Sequence, residues 1–351
     1  MALRVFEGFD MLNSGTTLAQ MQNRGWANIT AGVTNNSINL AGRFGGKAMT
    51  GGNQDLVRFD VAALATAGVM GSAHFLLTNV PAAGTPWRIM EFTDGATCQL
   101  GLGVTNARQL CVYRGTTATV IATGTTALLS NNWTYLEFKA VIHNTSGTYE
   151  VRINGSSTPE LVATGQNTRT TANNQLTGFQ WIVGSGSGNT GHDDIYALDT
   201  TGAAPFTDYL GEVRVQTLAP SGAGSSTQWT PLSSTNVSNV DDTLLSNPFD
   251  QDATYNSSST AGQIDLFAVQ DLSGTPTVYA VAVSWDARKD DAGARSVRAK
   301  LKSGATTGNG PTKTMNSSYT SYQDVFLTDP NTAAAWTGAA VNAIEAGYEN
   351  I

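Results

Sequence analysis

The side chains best suited to chemistry are few and scattered. Asp193 and Asp194 stand side by side after a glycine-rich loop, and hard cations such as calcium take carboxylate oxygens. Neighbours on a strand point to opposite faces, so this spacing predicts a structural role such as capping the preceding loop, with calcium binding as the sharper alternative. His74, His143 and His192 lie far apart, and none belongs to a His-Glu-x-x-His or Cys-x-x-Cys arrangement, so no metal site is signalled. The glycines of Gly186-Ser-Gly-Asn-Thr-Gly191 have dinucleotide-fingerprint spacing after a strand. They lead into another strand near Ile195 and not into the helix whose N-terminus would hold a pyrophosphate, so the match is rejected as a hairpin loop.

No Gly-x-Ser-x-Gly elbow is present, which leaves a serine nucleophile unsupported. Glycoside hydrolysis needs two carboxyl groups across the scissile bond, and no strand repeats Glu or Asp at alternate positions in the Glu-x-Asp-x-Glu manner of concanavalin-like glucanases. The sequence therefore predicts a protein that is not an enzyme, with no catalytic, cofactor-binding or metal residues and no cofactor. Exposed aromatics would mark a sugar-binding face, and Trp26, Trp87, Trp133, Trp181, Trp229, Trp285 and Trp336 are the candidates. Trp181 and Trp285 are in phase with core residues, which predicts packing for these two and leaves the other five open.

The elements that would position these groups are strands. Leu136, Phe138, Ala140 and Ile142 alternate with Tyr135, Glu137, Lys139 and Val141, the period of a half-buried strand. After Asn144-Thr145-Ser146-Gly147 the phase inverts, and Tyr149, Val151 and Ile153 become the apolar set. Folding about that turn predicts Ile142 opposite Tyr149, Ala140 opposite Val151 and Phe138 opposite Ile153. A one-residue slip would put apolar on polar, so the pairing is strongly specified. Phe179 to Val183 and Asp193 to Leu198 complete this organising region.

Further strands are predicted at Leu3 to Phe9, Val57 to Val61, Phe75 to Val80, Trp87 to Phe92, Gln99 to Val104, Leu110 to Arg114 and Thr119 to Ala122, with one short helical turn at Val61 to Val69. From Asp199 to Gly262 polar residues dominate. Tyr209 to Leu218 reads there as a bridging strand and 219–262 as linker and long loops. The expected organisation is a larger domain over 1–218 and a smaller β-sandwich over 263–351. In the latter, Val281, Val283 and Trp285 would meet Leu301, Ala299 and Val297 only through an odd-length loop, with Gly293 supplying a bulge.

Composition agrees with an all-β chain. Of 351 residues 37 are glycine and only 13% are charged, as many short strands with tight turns require. A net charge of −8 argues against nucleic acid as a partner. The most basic stretch, Arg288 to Lys302, alternates cations with Val297, Ala299 and Leu301 and reads as a solvated strand face. The first ten residues lack a signal-peptide core and no run is long enough to cross a membrane, which predicts a protein made in a cytoplasm. Cys98 and Cys111 flank a hairpin that would set Cys111 opposite Leu102, so no bridge is expected.

Trp133 to Gly155, Phe179 to Val183 and His192-Asp-Asp-Ile-Tyr-Ala-Leu-Asp199 together resemble the closing half of a concanavalin A-like, laminin-G-like jelly roll. Thr200 to Pro220, Gln228-Trp-Thr-Pro231, Ala287 to Arg295 and Ala335 to Asn342 resemble runs found in virion structural proteins of tailed bacteriophages. That resemblance spans nearly the whole chain and carries no catalytic or cofactor residues. It implies a surface-displayed structural component of a virion, tail-associated or a capsid decoration, made in the host bacterial cytoplasm. Its partners would be other virion proteins and further copies of itself, a homo-oligomer held mainly by the C-terminal half, where Val278, Ala280, Ala282 and Ser284 form a small-residue side. The alternative is an adhesin module of a fibre or spike that binds host surface glycan.

Overall fold

The computed structural model describes residues 3–13, 17–29, 40–51, 55–77, 79–184, 190–242 and 248–351. The fold is all-β. Among the described residues only the helices Thr17–Asn23 and Gly338–Val341 and a 3-10 turn at Val237–Asn239 interrupt the strands. Two compact units are present: residues 1–9 with 25–215, and residues 10–24 with 216–351.

The first unit is a jelly-roll sandwich of two antiparallel sheets. The eight-stranded sheet runs in space from Leu161–Gln166 through Gly147–Ile153, Asn132–Val141, Gly68–Leu76 and Gly191–Leu198 to Lys47–Thr50 and Leu40–Ala41, and Leu3–Glu7 also pairs with Gly191–Leu198. The seven-stranded sheet runs from Thr119–Ala127 through Gln109–Arg114, Thr97–Val104, Trp87–Asp94, Leu176–Val183 and Asp55–Leu64 to Asn28–Ile29. Every second residue turns inward, so Phe138 of one sheet meets Phe92 of the other at 4.9 Å between ring centroids, and burying such rings dominates the core energetics. Residues 61–69 form no helical turn, since the strand Asp55–Leu64 continues through them and Gly68 opens the next.

The central hairpin keeps its predicted faces with a different register. Ala140 pairs with Tyr149, Phe138 with Val151 and Leu136 with Ile153, two residues from the expected pairing. A two-residue slip leaves every side chain on its own face, so hydrophobic alternation cannot detect it. The turn decides instead: His143 Nδ1 accepts the amides of Thr145 and Ser146 at 3.1 and 3.0 Å, which takes Ile142 and His143 out of the ladder. Likewise Cys111 lies opposite Gly103 and not Leu102. Both cysteines are free and buried.

The second unit is a smaller sandwich. Its six-stranded sheet runs Pro220–Thr227, Ile264–Val269, Glu345–Asn350, Ser296–Ser303 and Thr306–Asn309, with Lys313–Thr314 also on Ser296–Ser303. Val281–Ala287 pairs with Thr320–Phe326 and not with Ser296–Ser303, which corrects the hairpin expected around Gly293. The awkward register disappears because Val283 and Trp285 meet Val297, Ala299 and Leu301 within one core, as residues of two different sheets.

The described residues of 219–262 do not form the expected linker. Pro220–Thr227 joins the sheet through Ile264–Val269, and Thr230–Pro231 pairs with Asn256–Ser257. The buried Asp265 carboxylate holds the segment by accepting from Gln228 N, Trp229 N and Asn236 Nδ2 at 2.6, 2.8 and 2.6 Å. Residues 10–24 belong to this unit as well. Leu12 and Met21 are fully buried, and Asn13 exchanges two hydrogen bonds with the backbone of Phe249, at 2.7 and 3.2 Å.

Candidate functional site

The chemistry-bearing groups of the jelly roll gather on the outer faces of its two sheets. On the eight-stranded sheet, Tyr135 and Glu137, expected on a polar solvated face, are both buried. The cover is residues 199–215, expected in part as a strand and found as an irregular strap anchored by the buried Phe206 and Leu210. Its backbone donors go to side chains of the sheet: Gly211 N to Glu137 Oε1 at 2.9 Å, Leu210 N to the Tyr196 hydroxyl at 3.1 Å and Val215 N to Asp194 Oδ1 at 2.7 Å. A segment without a strand partner must satisfy its amides in some such way. Just before these positions, Lys139 bonds Asp208 at 2.9 Å, and the Arg152 guanidinium stands 4.2 Å from the Tyr209 ring centroid.

Glu137 is the centre of this face. Tyr196 donates its hydroxyl to Oε1, and the ring gets there by crossing Gly71, where a Cβ would lie 2.0 Å from Tyr196 Cε1. Oε2 is buried and, among the described residues, has no partner. Burial pushes the Glu137 carboxyl up, and the Tyr196 and Gly211 hydrogen bonds only partly pull it back. A carboxyl in this condition can bind or release a proton nearer neutrality than an exposed one.

Asp193 and Asp194 do not simply diverge. The register shifts between Asp193 and Tyr196, and Asp194 takes a left-handed φ of 50°, which brings both carboxylates to the loop that carries Arg43. Asp193 Oδ2 accepts from Arg43 N at 2.8 Å, and Asp194 Oδ2 lies 3.8 Å from Arg43 Nη1. Arg43 is further ion-paired with Glu212. Phe44 beside it is 52% exposed, with the Arg43 and Arg214 guanidinium carbons 4.8 and 4.4 Å from its ring centroid.

The seven-stranded sheet carries a second buried carboxylate. Glu91 accepts from Arg88 Nε and Nη2 at 2.6 and 2.7 Å, from the Tyr113 hydroxyl at 2.7 Å and from Gln180 Nε2 at 2.6 Å. Tyr113 reaches it across Gly101, where a Cβ would lie 2.2 Å from the ring. Burial, then the Glu91 charge, pushes up both the Tyr113 hydroxyl and the neighbouring Cys98 thiol.

His74 and His192 come together inside the sandwich, with ring centroids 4.9 Å apart. His192 bonds Ser72 Oγ at 2.7 Å and the Ile182 carbonyl at 2.9 Å. Both ring nitrogens of His74 are buried and, among the described residues, lack a partner. Burial lowers His192 to about 4, and burial together with His192 lowers His74 well below its ordinary value. Among the described residues, no group of three or more His, Cys, Asp or Glu side chains is placed to hold a metal ion. Gly186 and Gly188 lie outside the described residues. Gly191 opens a strand.

None of the seven tryptophans is exposed. Trp26, Trp181, Trp285 and Trp336 are buried, and Trp87, Trp133 and Trp229 are half-buried. Among the described residues the exposed aromatic ring is Phe44, which sequence periodicity gave no means of finding. Among the described residues no helix is long and apolar enough to cross a membrane.

No family model and no curated protein matches the chain. Among solved structures, domain 4 of AbnA, a GH43 extracellular arabinanase from Geobacillus stearothermophilus in complex with arabinotriose, is 16% identical over 56% of this chain and 92% of that one, with a TM-score of 0.35. A Trypanosoma rangeli sialidase mutant displaying trans-sialidase activity is 13% identical over 43% of this chain, with a TM-score of 0.29, and the match spans 26% of the sialidase. The catalytic domain of a glycoside hydrolase family 131 protein from Coprinopsis cinerea is 15% identical over 45% of this chain and 74% of that one, at 0.28. These matches correct the expectation that the chain is not an enzyme, since they are sialidases and glycoside hydrolase domains. Likeness at this level assigns no reaction and no site.

Proposed function

We propose that the chain is a structural component displayed at the surface of a tailed-bacteriophage particle, tail-associated or a capsid decoration, with other virion proteins as partners. The observation that supports this reading is the strap. The run Thr200 to Pro220, which resembles virion structural proteins, contains most of the segment whose amides are held by Glu137, Tyr196 and Asp194. A covering segment fixed to buried side chains makes a stiff exterior, as a particle surface requires. Mass spectrometry of particles purified from a lysate producing this protein is expected to find the chain in stoichiometric amount. Its absence from washed particles would sink the reading.

A second reading, a module that binds host surface glycan, draws on Phe44. An exposed ring between two guanidinium groups suits a sugar that offers an apolar face and an acidic substituent. Binding to acidic glycans on an array, lost in Phe44→Ala with the fold intact, is the expected result. No binding to any host polysaccharide would remove this reading and leave the first untouched.

A further inference from the structure

Periodicity makes Arg298, Lys300 and Lys302 equivalent cations on one face of Ser296–Ser303, opposite Val297, Ala299 and Leu301. The structure treats the middle one differently. Arg298 and Lys302 are half-buried, whereas Lys300 is only 7% exposed, a condition lysine tolerates only when paired. Its Nζ stands 2.7 Å from Asn309 Oδ1 and 2.8 Å from Glu349 Oε2. Asn309 lies directly across the ladder on Thr306–Asn309, and Glu349 belongs to the strand on the other side, Glu345–Asn350.

An amine, a carboxamide and a carboxylate thus meet at one point. A lysine ammonium can only donate, so the atom it faces is the carbonyl oxygen of Asn309, and the carbon bonded to that oxygen lies within about 4 Å of Nζ. Such placement replaces a chance encounter by a held one. Glu349 Oε2 also accepts from Arg298 Nε and Nη2 at 2.7 and 2.6 Å. Burial pushes the Glu349 carboxyl up, but the bonds from Lys300 and Arg298 outweigh it and hold the group below its ordinary value. At neutral pH it is therefore a carboxylate, the form that can take a proton. Lys302 supplies the contrast on the same face. It meets Glu345 at 3.2 Å, but its other partner is the Ser225 hydroxyl at 2.7 Å, which has no carbonyl carbon to attack.

We propose that Lys300 and Asn309 become joined by an isopeptide bond that the folded chain makes itself, with Glu349 carrying the proton. Glu349 takes a proton from the ammonium, and the freed lone pair of Nζ adds to Asn309 Cγ while the carbonyl electron pair moves onto Oδ1. Glu349 then passes its proton to Nδ2. The Cγ–Nδ2 bond breaks, its electrons leave with ammonia, and the carbonyl re-forms. The ammonia takes one further proton from Nζ and departs as ammonium, which leaves an amide N–H and the original carboxylate. No oxidant or other reactant is consumed. Asn309 is exposed, so the ammonia has a path to solvent. The bond would fix Thr306–Asn309, the last strand at this end of its sheet, to its neighbour.

The intact mass of the full chain, measured in denaturant, tests this. The expected mass is one ammonia, about 17 Da, below that of the sequence. Trypsin, cutting after Arg298, Lys302 and Lys313, should release a branched peptide in which residues 299–302 are attached to 303–313. Gly310 follows Asn309, and closure of Asn309 onto the Gly310 nitrogen as a succinimide would lose the same mass. That nitrogen already donates to the Ala299 carbonyl at 2.9 Å, and Lys300→Arg separates the two reactions because it abolishes only the isopeptide. Lys300→Arg and Asn309→Ser should each keep the full mass of their sequences, and Glu349→Gln should slow the loss by about a hundredfold or more. A circular dichroism spectrum like that of the wild type in Asn309→Ser would separate loss of the bond from loss of the fold. A wild-type chain at full mass both on purification and after prolonged incubation would overturn the proposal, as would an ammonia loss that persists in Lys300→Arg or proceeds at an unchanged rate in Glu349→Gln.

Discussion

Glu91 and Glu137 make the same local arrangement with opposite endings. Each is buried on the outer face of one sheet of the same sandwich, and each is reached by a tyrosine hydroxyl from the next strand but one, whose ring crosses a glycine of the strand between. Glu91 also meets Arg88 in a two-pronged ion pair and the amide of Gln180, so both oxygens are taken. Glu137 has the strap amide and, among the described residues, no hydrogen-bond partner for its second oxygen. Burial alone therefore does not settle what a carboxyl is for. The number and charge of its donors does: a saturated one is a brace, and a half-satisfied one remains able to exchange a proton.

The comparison breaks most visibly at Glu91. Replacing it with alanine removes the carboxylate that Arg88, Tyr113 and Gln180 share, and losing one member of a buried pair costs about 3–5 kcal/mol. Denaturant unfolding of the jelly roll should register that loss, and a cost below about 1 kcal/mol would show that water can replace the carboxylate.

The two histidines set the acid limit within which the carboxyls can be compared. His192 is lowered to about 4, whereas an unfolded chain takes up its proton near 6.5. Both states are neutral above that value. Below it the unfolded chain gains protons that the fold refuses, so stability falls with acid, by roughly 2–3 kcal/mol at pH 4.5 for this group alone. His192→Gln should flatten that slope in a pH series of melting curves.

Gly71→Ala and Gly101→Ala come next, each expected to cost about 1–3 kcal/mol because a Cβ would stand where a tyrosine ring now lies. Pairing each with Tyr196→Phe or Tyr113→Phe sharpens the contrast. The phenyl ring still clashes, so rescue in either double variant would locate the strain in the hydroxyl's hydrogen bond instead.

Glu137→Gln should have the smallest effect, within about 1 kcal/mol of wild type. Its carboxyl is raised in the fold, so the folded state holds the proton more tightly than the unfolded one. The resulting stabilisation is full at low pH and is lost as pH rises from the unfolded value towards the raised one. Glutamine removes that dependence, and a wild-type curve already flat over this window would contradict the assignment.

The sandwich itself was legible because Leu136, Phe138 and Ala140 against Val151 and Ile153 follow a period that backbone geometry enforces. The register was not, since a slip by two preserves the period and only the His143 turn discriminates. The strap was illegible for another reason: its backbone is satisfied by Glu137, Tyr196 and Asp194, residues distant in sequence, and polar satisfaction of that kind leaves no periodic trace. Asp265 hid the true character of 219–262 in the same way, by replacing apolar packing with hydrogen bonds to Gln228, Trp229 and Asn236.

Residues 10–24 give the chain a timetable. They are made before residues 25–215, which form the other unit, yet the strands they pack with belong to 216–351. Until 216–351 are made, Leu12 and Met21 have no core to enter, and the helix Thr17–Asn23 has nothing to rest on. Closing so long a loop adds only modestly to the equilibrium cost, because the entropy grows with the logarithm of length. The delay is kinetic. The smaller sandwich can be completed only from segments made before and after the jelly roll, and a nascent polypeptide halted before Glu345–Asn350 would carry an apolar segment still waiting for a later partner.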